Sequence, residues 1–147
     1  MGRDLLQIID ANLNRLREGL RVCEDIARFS AGEKDIARSL KTLRHGATNA
    51  ILLSKKIPLG KLVQTRDTKN DRLKFIDFEK GKNVSMTDIF MSNIERAKES
   101  LRVLEECCKL VDAETSRKYR RLRFNAYDIE KKSIKKINPS TKAQGLC

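Results

Sequence analysis

At 147 residues, with 39% hydrophobic and 35% charged residues and no Trp, the chain has the size for one domain with a real core, and its composition excludes a disordered polymer. No apolar run reaches the ~18 residues of a membrane span, and the opening MGRDLLQII lacks the apolar core and cleavage site of a secretory signal, so the expected setting is cytoplasmic, with no membrane. The formal net charge of +12 favours polyanionic partners such as nucleotides, phosphorylated metabolites or nucleic acid.

Four helical segments are predicted in chain order. The first runs from about Arg3 to Phe29, with Leu5, Ile9, Leu13, Leu16, Leu20, Cys23 and Ala27 at three- and four-residue spacing. Ser30-Ala-Gly-Glu33 reads as a stop followed by a capping box, Ser at the cap and Glu three later. The second segment places Ile36, Leu40, Leu43, Ala47 and Ile51 on one stripe and ends at Lys-Ile-Pro, 56–58. From Leu59 to Val84 no period is sustained; a structureless stretch of that length within a compact domain is usually functional or disordered. Ser85-Met-Thr-Asp88 opens a third helix carrying Phe90, Ile94, Ala97, Leu101, Leu104 and Cys108. Asp112 or Thr115 caps a fourth, striped by Tyr119, Leu122, Ala126 and Ile129 and closed by Asn138-Pro139, with a flexible tail over 139–147. From Ala113 to Asn138 nine Lys and Arg face three Asp and Glu, which is half of the chain's net charge on one helix; the alternatives are a solvated surface or a polyanion site.

The segments repeat. Asn12–Glu24 and Asn93–Glu105 share seven of thirteen residues, giving the spine N-x-x-R-x-x-E-x-L-R-V-x-E twice at a shift of 81. Arg38–Arg44 then matches Arg117–Arg123 at a shift of 79, so the second unit has a shorter turn. The expected fold is all-α, a four-helix bundle of two repeated αα-hairpins in a single domain over 1–138, with units of about 3–54 and 85–138 joined by a long irregular connection, 55–84.

Shared apolar spacing would suffice for two amphipathic helices, so the shared polar residues need another reason. On a wheel at about 100° per residue, the apolar arc of the first helix runs from Phe29 and Val22 through Ile26 and Ile9 to Leu13. Asn12, Arg15 and Gly19 fall inside it, with Glu18 at its edge. Asn93, Arg96 and Ser100, with Glu99 at the edge, occupy the same places on the third helix, while Arg21, Arg102, Glu24 and Glu105 point mainly outward. A buried Arg is costly unless paired. Two explanations stay open: internal Arg15 and Arg96 bridges to Glu18 or Glu99 that set helix register, or a polar cavity in which guanidinium groups grip phosphate.

In the connection, Arg66-Asp67-Thr68 and Asp71 either fold over a ligand, with carboxylates on Mg²⁺, or form a solvated turn. The single histidine, His45, lies opposite its helix's apolar stripe, and Cys23, Cys107, Cys108 and Cys147 include no C-x-x-C pair, so reduced structural thiols are expected. No glycine-rich phosphate loop, nucleophile elbow or H-E-x-x-H occurs, so phosphate handling falls to side chains and helix ends.

In order, IIDANLNRLREGLRVCEDIARF, LKTLRHG, QTRDTKND, NIERAKESLRVLEE and LRFNAYDIEK resemble a specific family over Ile8–Lys131: the small helical domain often fused ahead of thiamine-phosphate synthase, known as a monofunctional hydroxymethylpyrimidine phosphate kinase. The resemblance implies a stand-alone form that uses ATP and Mg²⁺ to convert 4-amino-5-hydroxymethyl-2-methylpyrimidine phosphate to the diphosphate, with thiamine-phosphate synthase as a functional partner. Carried onto this chain, it singles out Asn12, Arg15, Glu18, Arg21, Asn93, Arg96, Glu99 and Arg102, with Arg44, His45, Arg66, Asp67 and Asp71, as the motif residues, and it does not assign their roles. On side-chain chemistry, Arg15, Glu18, Arg96 and Glu99 are catalytic candidates. Asn12, Arg21, Arg44, His45, Arg66, Asn93, Arg102 and Arg123 become binding candidates, and Asp67 and Asp71 candidates for Mg²⁺. One departure stands out: RDTKND continues as Arg72-Leu73-Lys74 where a glycine-containing turn is expected.

Two other classes compete with the kinase. A non-catalytic helical domain would bind thiamine-pathway phosphates or a pathway enzyme with the same Asn–Arg–Glu repeat. A basic nucleic-acid-binding bundle would use Lys131-Lys132 and Lys135-Lys136, but 5% aromatic residues offer few stacking platforms. Exposed motif residues also admit a homo-oligomer.

Overall fold

The computed structural model describes residues 2–74 and 85–137, and these are all-helical: α1 (Arg3–Asp25), α2 (Lys34–Leu52), α3 (Leu59–Gln64), α4 (Met86–Cys108) and α5 (Ala113–Ile137). The proposed Asn138-Pro139 stop, the 139–147 tail, Cys147 and the end of the connection, 75–84, lie outside the described residues.

The first helix does not stop cleanly. Ile26–Ser30 continues α1 as a wider π turn, with Ala31 N donating to Ile26 O at 2.9 Å. Ser30 is therefore still helical, and the expected capping box is absent: the residue before α2 is Glu33, which makes no side-chain cap. Gly32 instead reverses the chain at φ +67, a region that suits glycine, and Glu33 N reaches back to Ala27 O at 2.8 Å. Ser85 does cap α4, its Oγ accepting from Asp88 N at 3.1 Å and donating to the Asp88 carboxylate at 2.8 Å. Asp112 opens α5, accepting from Glu114 N at 3.2 Å and from the Thr115 hydroxyl at 2.9 Å. The short helix α3 is a correction to the irregular connection: Pro58 starts it, and its Leu62 is fully buried.

Helix α1 packs on α4 and α2, and α5 packs on α4 and α2, so the four long helices close a ring around the core. The fully buried residues include Ile9, Leu16, Leu20 and Cys23 of α1, Leu40 of α2, Phe90, Leu101 and Leu104 of α4, and Tyr119 of α5. Each large aliphatic side chain withdrawn from water contributes about 1.5–3 kcal/mol, and the stripes read from the sequence supply most of them. α1 and α4 run antiparallel: Cys23 Sγ lies 3.4 Å from Phe90 O, and a Cβ on Gly19 would sit 3.2 Å from Asn93 O. A side chain there would press on the α4 backbone, which would have to give by a few tenths of an ångström, so glycine suits this close approach. The Tyr119 hydroxyl donates to Ala47 O at 2.9 Å, tying α5 to α2 inside the core. Burial pushes the thiols of Cys23 and Cys108 up to about 12, in keeping with inert structural cysteines; Cys107 is half-buried.

Candidate functional site

Two corrections concern the polar residues of the repeat. Arg15 and Arg96 are exposed, not internal, whereas Glu24 and Glu105 are buried, not outward. The apolar arc was drawn too wide. Phe29, which marked one edge, is 73% exposed and Val22 only half-buried, so the true buried arc is displaced toward Leu13, Leu20 and Glu24. The internal bridges consequently join the two helices of each unit. Arg44 Nε and Nη2 lie 3.2 and 3.1 Å from Glu24 Oε2; Arg123 Nε and Nη2 lie 3.1 and 3.0 Å from Glu105 Oε2. The same atoms meet in both units, with both partners largely withdrawn from solvent. These are the register-setting bridges, on different residues from those expected.

The remaining motif residues also fall into matched pairs. Asn12 Nδ2 donates to Ile8 O at 2.9 Å and Asn93 Nδ2 to Ile89 O at 2.8 Å, so each amide is spent on its own helix four residues back. Exposed Arg21 pairs with Asp25 at 3.5 Å and exposed Arg102 with Glu106 at 3.1 Å, ordinary helix-surface pairs. His45 is exposed. Arg15 and Arg96 each lie roughly 60° off the α1–α4 contact line in the same sense. The antiparallel register therefore sets them, with Glu18 and Glu99, along one solvent-facing side of the helix pair.

A cleft of about 480 Å³ opens beside that side, between α1 and the segment after α3. α1 contributes Gln7, Asp10, Ala11, Asn14 and Glu18, spaced to share one face, and the segment contributes Arg66, Asp67, Thr68, Asn70 and Asp71. Four predicted residues are thus brought together: Glu18, Arg66, Asp67 and Asp71. Arg44, Arg123, His45 and the α4 motif residues are not among its walls.

The clasp that builds the cleft joins predicted Arg66 to Asp10, which had no place among the predicted residues. Asp10 is buried, and its carboxylate accepts from Arg66 Nη2 at 2.9 Å and Nε at 3.0 Å, a bidentate pair that pins the segment against α1. The carboxylate holds the Arg66 guanidinium above its ordinary range. One sequence signal was available: Asp10 sits inside an apolar stretch, yet its partner in the repeat is Met91. Beyond the clasp, Asp67 accepts from Asn70 Nδ2 at 2.9 Å and Asn70 N at 3.3 Å, which hold its carboxyl below the usual carboxylate range, with a further pull from the Arg3 charge. Asp71 accepts from Leu73 N at 3.1 Å. Four carboxylates against one guanidinium make this a locally acidic cleft on a strongly basic chain.

Residues 7–132 match the ThiD2 family, and the chain belongs to it. Among curated proteins it is similar to a thiamine-phosphate synthase of Prochlorococcus marinus (strain AS9601), 36% identical over 86% of this chain and 34% of that protein. A thiamine-phosphate synthase of Prochlorococcus marinus subsp. pastoris is 36% identical over 95% of this chain and 38% of that protein, and one of Gloeobacter violaceus is 33% identical over 86% and 35%. The chain therefore spans a little over a third of the length of these relatives. No solved structure matches it. Among the described residues no helix is long and apolar enough to cross a membrane.

Proposed function

We propose that this chain transfers phosphate from ATP to 4-amino-5-hydroxymethyl-2-methylpyrimidine phosphate in thiamine biosynthesis, on a four-helix bundle of two αα-hairpins. Membership of the ThiD2 family and relatives named thiamine-phosphate synthase favour the pathway. The observation that carries the site is the Asp10–Arg66 clasp, which fixes a segment with Asp67 and Asp71 opposite Glu18 of the doubled motif.

Phosphoryl transfer asks a protein mainly for positioning and charge neutralisation. An oxygen of the acceptor phosphate attacks the γ-phosphorus, the bond from that phosphorus to the β,γ-bridging oxygen breaks, and ADP leaves. The attacking group is already anionic, so no strong general base is needed. Arg15, one helical turn before Glu18 at the rim, is suited to hold the acceptor phosphate, and Arg96 on the neighbouring helix to extend that grip. The all-oxygen donor set suits Mg²⁺, which one or two of Asp67, Asp71 and Glu18 would hold. Among the described residues no three His, Cys, Asp or Glu gather closely enough to cage an ion, which fits a cation arriving on nucleotide phosphates and meeting one or two carboxylates. There it would neutralise charge on the transferred group. The depressed Asp67 carboxyl keeps that ligand ionised near neutral pH.

The test is mass spectrometry of the products from the purified chain with ATP, Mg²⁺ and the pyrimidine phosphate, alongside Glu18→Gln and Asp67→Asn. Diphosphate from the parent chain, reduced at least 100-fold in both variants, is expected; neither turnover nor binding would overturn the proposal. A second reading, a non-catalytic domain for pathway phosphates, draws on the chain matching only a third of proteins named for a different activity. It requires pyrimidine phosphate binding without ATP consumption.

A further inference from the structure

The opposite flank of the molecule carries a second constellation that the cleft does not use. Between the last turn of α4 and the first turns of α5 lies a notch of about 240 Å³ whose walls include Lys109, Arg117 and Arg120, with Glu105 at its base. Glu105 is already matched at 3.0 Å by Arg123, and Lys109 is held by Glu106 at 2.9 Å, so Arg117 and Arg120 are the wall cations left over. Arg120 approaches Glu105 only at 3.8 Å, and Arg117 makes no ion pair among the described residues. The first-turn N–H groups of Glu114 and Thr115 are taken by Asp112, so recognition in the notch falls to these side chains.

One to two turns further along α5, roughly 6–10 Å at 1.5 Å per residue, Phe124 and Tyr127 stand side by side on the surface. They are 50% and 40% exposed, with ring centroids 6.2 Å apart. Arg123 lies 5.1 Å from the Phe124 centroid, and Lys98 5.1 Å from that of Tyr127. Two exposed aromatic rings backed by cations form a stacking shelf for a planar ring. The first unit sharpens the point. At the places of Arg117, Phe124 and Tyr127 it has Arg38, His45 and Thr48, and there Arg38 is met by Asp35 at 3.8 Å. Among the described residues the aromatic shelf therefore belongs to the second unit alone.

We infer that the α4–α5 flank binds a nucleoside phosphate, its phosphates in the notch of Lys109, Arg117 and Arg120 and its base on Phe124. The spacing between notch and shelf suits a nucleoside di- or triphosphate. α1 and α4 stand between this flank and the cleft, about two helix diameters, so the site serves recognition and does not share the transferred phosphate. It stands independently of the kinase reading.

The experiment is calorimetric titration of the full chain with ADP, inorganic pyrophosphate and adenosine, without Mg²⁺. The variants are Arg117→Gln/Arg120→Gln, Phe124→Ala and, at Arg117's place in the first unit, Arg38→Gln. All four substituted residues are at least partly solvent-exposed, so folding is retained and checked by circular dichroism. The parent is expected to bind ADP more tightly than pyrophosphate, and adenosine weakly. The double variant should weaken both phosphate ligands at least 10-fold, Phe124→Ala should weaken ADP about 10-fold and pyrophosphate not at all, and Arg38→Gln should change neither. No ADP binding by the parent, or ADP binding untouched by Phe124→Ala and by the double variant, overturns the inference. Equal affinity of single-stranded oligonucleotide and ADP for the same residues would reassign the flank to nucleic acid.

Discussion

In the first unit Glu24 holds Arg44, and in the second Glu105 holds Arg123, through the same nitrogens and the same carboxylate oxygen. Asn12 and Asn93, Arg21 and Arg102, and the close-packed positions of Gly19 and Ser100 match in the same way. Asp10 does not match: its counterpart is Met91, and no second clasp forms from that position. Phe124 and Tyr127 have His45 and Thr48 as counterparts. What the units share is what holds helices together, and what one unit has alone is what builds a surface for a ligand. The doubled motif is thus largely scaffold; among the described residues Arg15, Glu18, Arg96 and Glu99 are repeated, exposed and outside any ion pair, unlike the paired Arg21 and Arg102.

The comparison is broken most directly at the bridges. Replacing Glu24 or Glu105 by Gln leaves a guanidinium that is only 14% or 12% exposed without its counter-charge. Each change should cost about 3 kcal/mol of stability, as loss of one partner from a buried pair does. Urea unfolding would measure it, and the two losses should agree within about 1 kcal/mol. A large loss at one bridge and none at the other would end the claim that the units are structurally equivalent.

A smaller loss is expected at a core position where the units differ. Tyr119 occupies the place held by Leu40 in the first unit, and both side chains are fully buried. Only Tyr119 carries a hydroxyl, bonded to Ala47 O. Burial, and to a lesser extent the charge of Cys108, pushes that hydroxyl well above its ordinary value, so it acts as a donor throughout the accessible pH range. Tyr119→Phe should cost about 1 kcal/mol by the same unfolding measurement, with no change in ligand binding.

These contrasts explain how far the sequence alone could be read. The four long helices and the repeat were legible because period 3.6 is written by many residues at once, and a single misfit such as Phe29 does not erase it. Which polar residue is buried was not legible, because Arg15 and Glu24 lie at opposite margins of the arc and the decision depends on where α2 sits. The π turn at Ile26–Ser30 has no composition signal; it shifted the start of α2 past Ser30 and removed the expected cap. The cleft was half legible. RDTKND was marked by its charges, but Asp10 reads as an ordinary helix acid until the chain returns 56 residues later with Arg66.

Converting the first unit toward the second tests the clasp with little cost in stability. Asp10→Met installs the residue that α4 carries at the equivalent place, and Arg66, 44% exposed, can turn to water. Stability should fall by less than about 1 kcal/mol. Trypsin cleavage after Arg66 should speed up, and the proposed phosphotransfer should drop at least 10-fold. Unchanged cleavage and turnover would mean that the segment is held by other contacts.

The smallest effect separates two carboxylates that are both held below their ordinary value of 3.8 for different purposes. Asp112 is held chiefly by the Ser54 hydroxyl at 2.7 Å, then by Thr115, and closes the α4–α5 turn onto the end of α2. Asp67 is held chiefly by the Asn70 side chain and faces the cleft. A carboxyl with a depressed folded value stabilises the fold above the unfolded value and loses that contribution as pH falls through the folded one. Ser54→Ala should therefore raise the Asp112 titration toward 3.8, and the stability lost relative to the parent should be present at neutral pH and vanish in acid. Asn70→Ala should raise Asp67 in the same direction, read by carboxyl NMR, and by the same linkage the thermal midpoint should fall slightly at neutral pH and recover in acid, by less than for Ser54→Ala because solvent screens this carboxylate. An Asp67 titration unmoved by Asn70→Ala would shift its cause to the Arg3 charge, and Arg3→Gln would then produce the rise that Asn70→Ala did not.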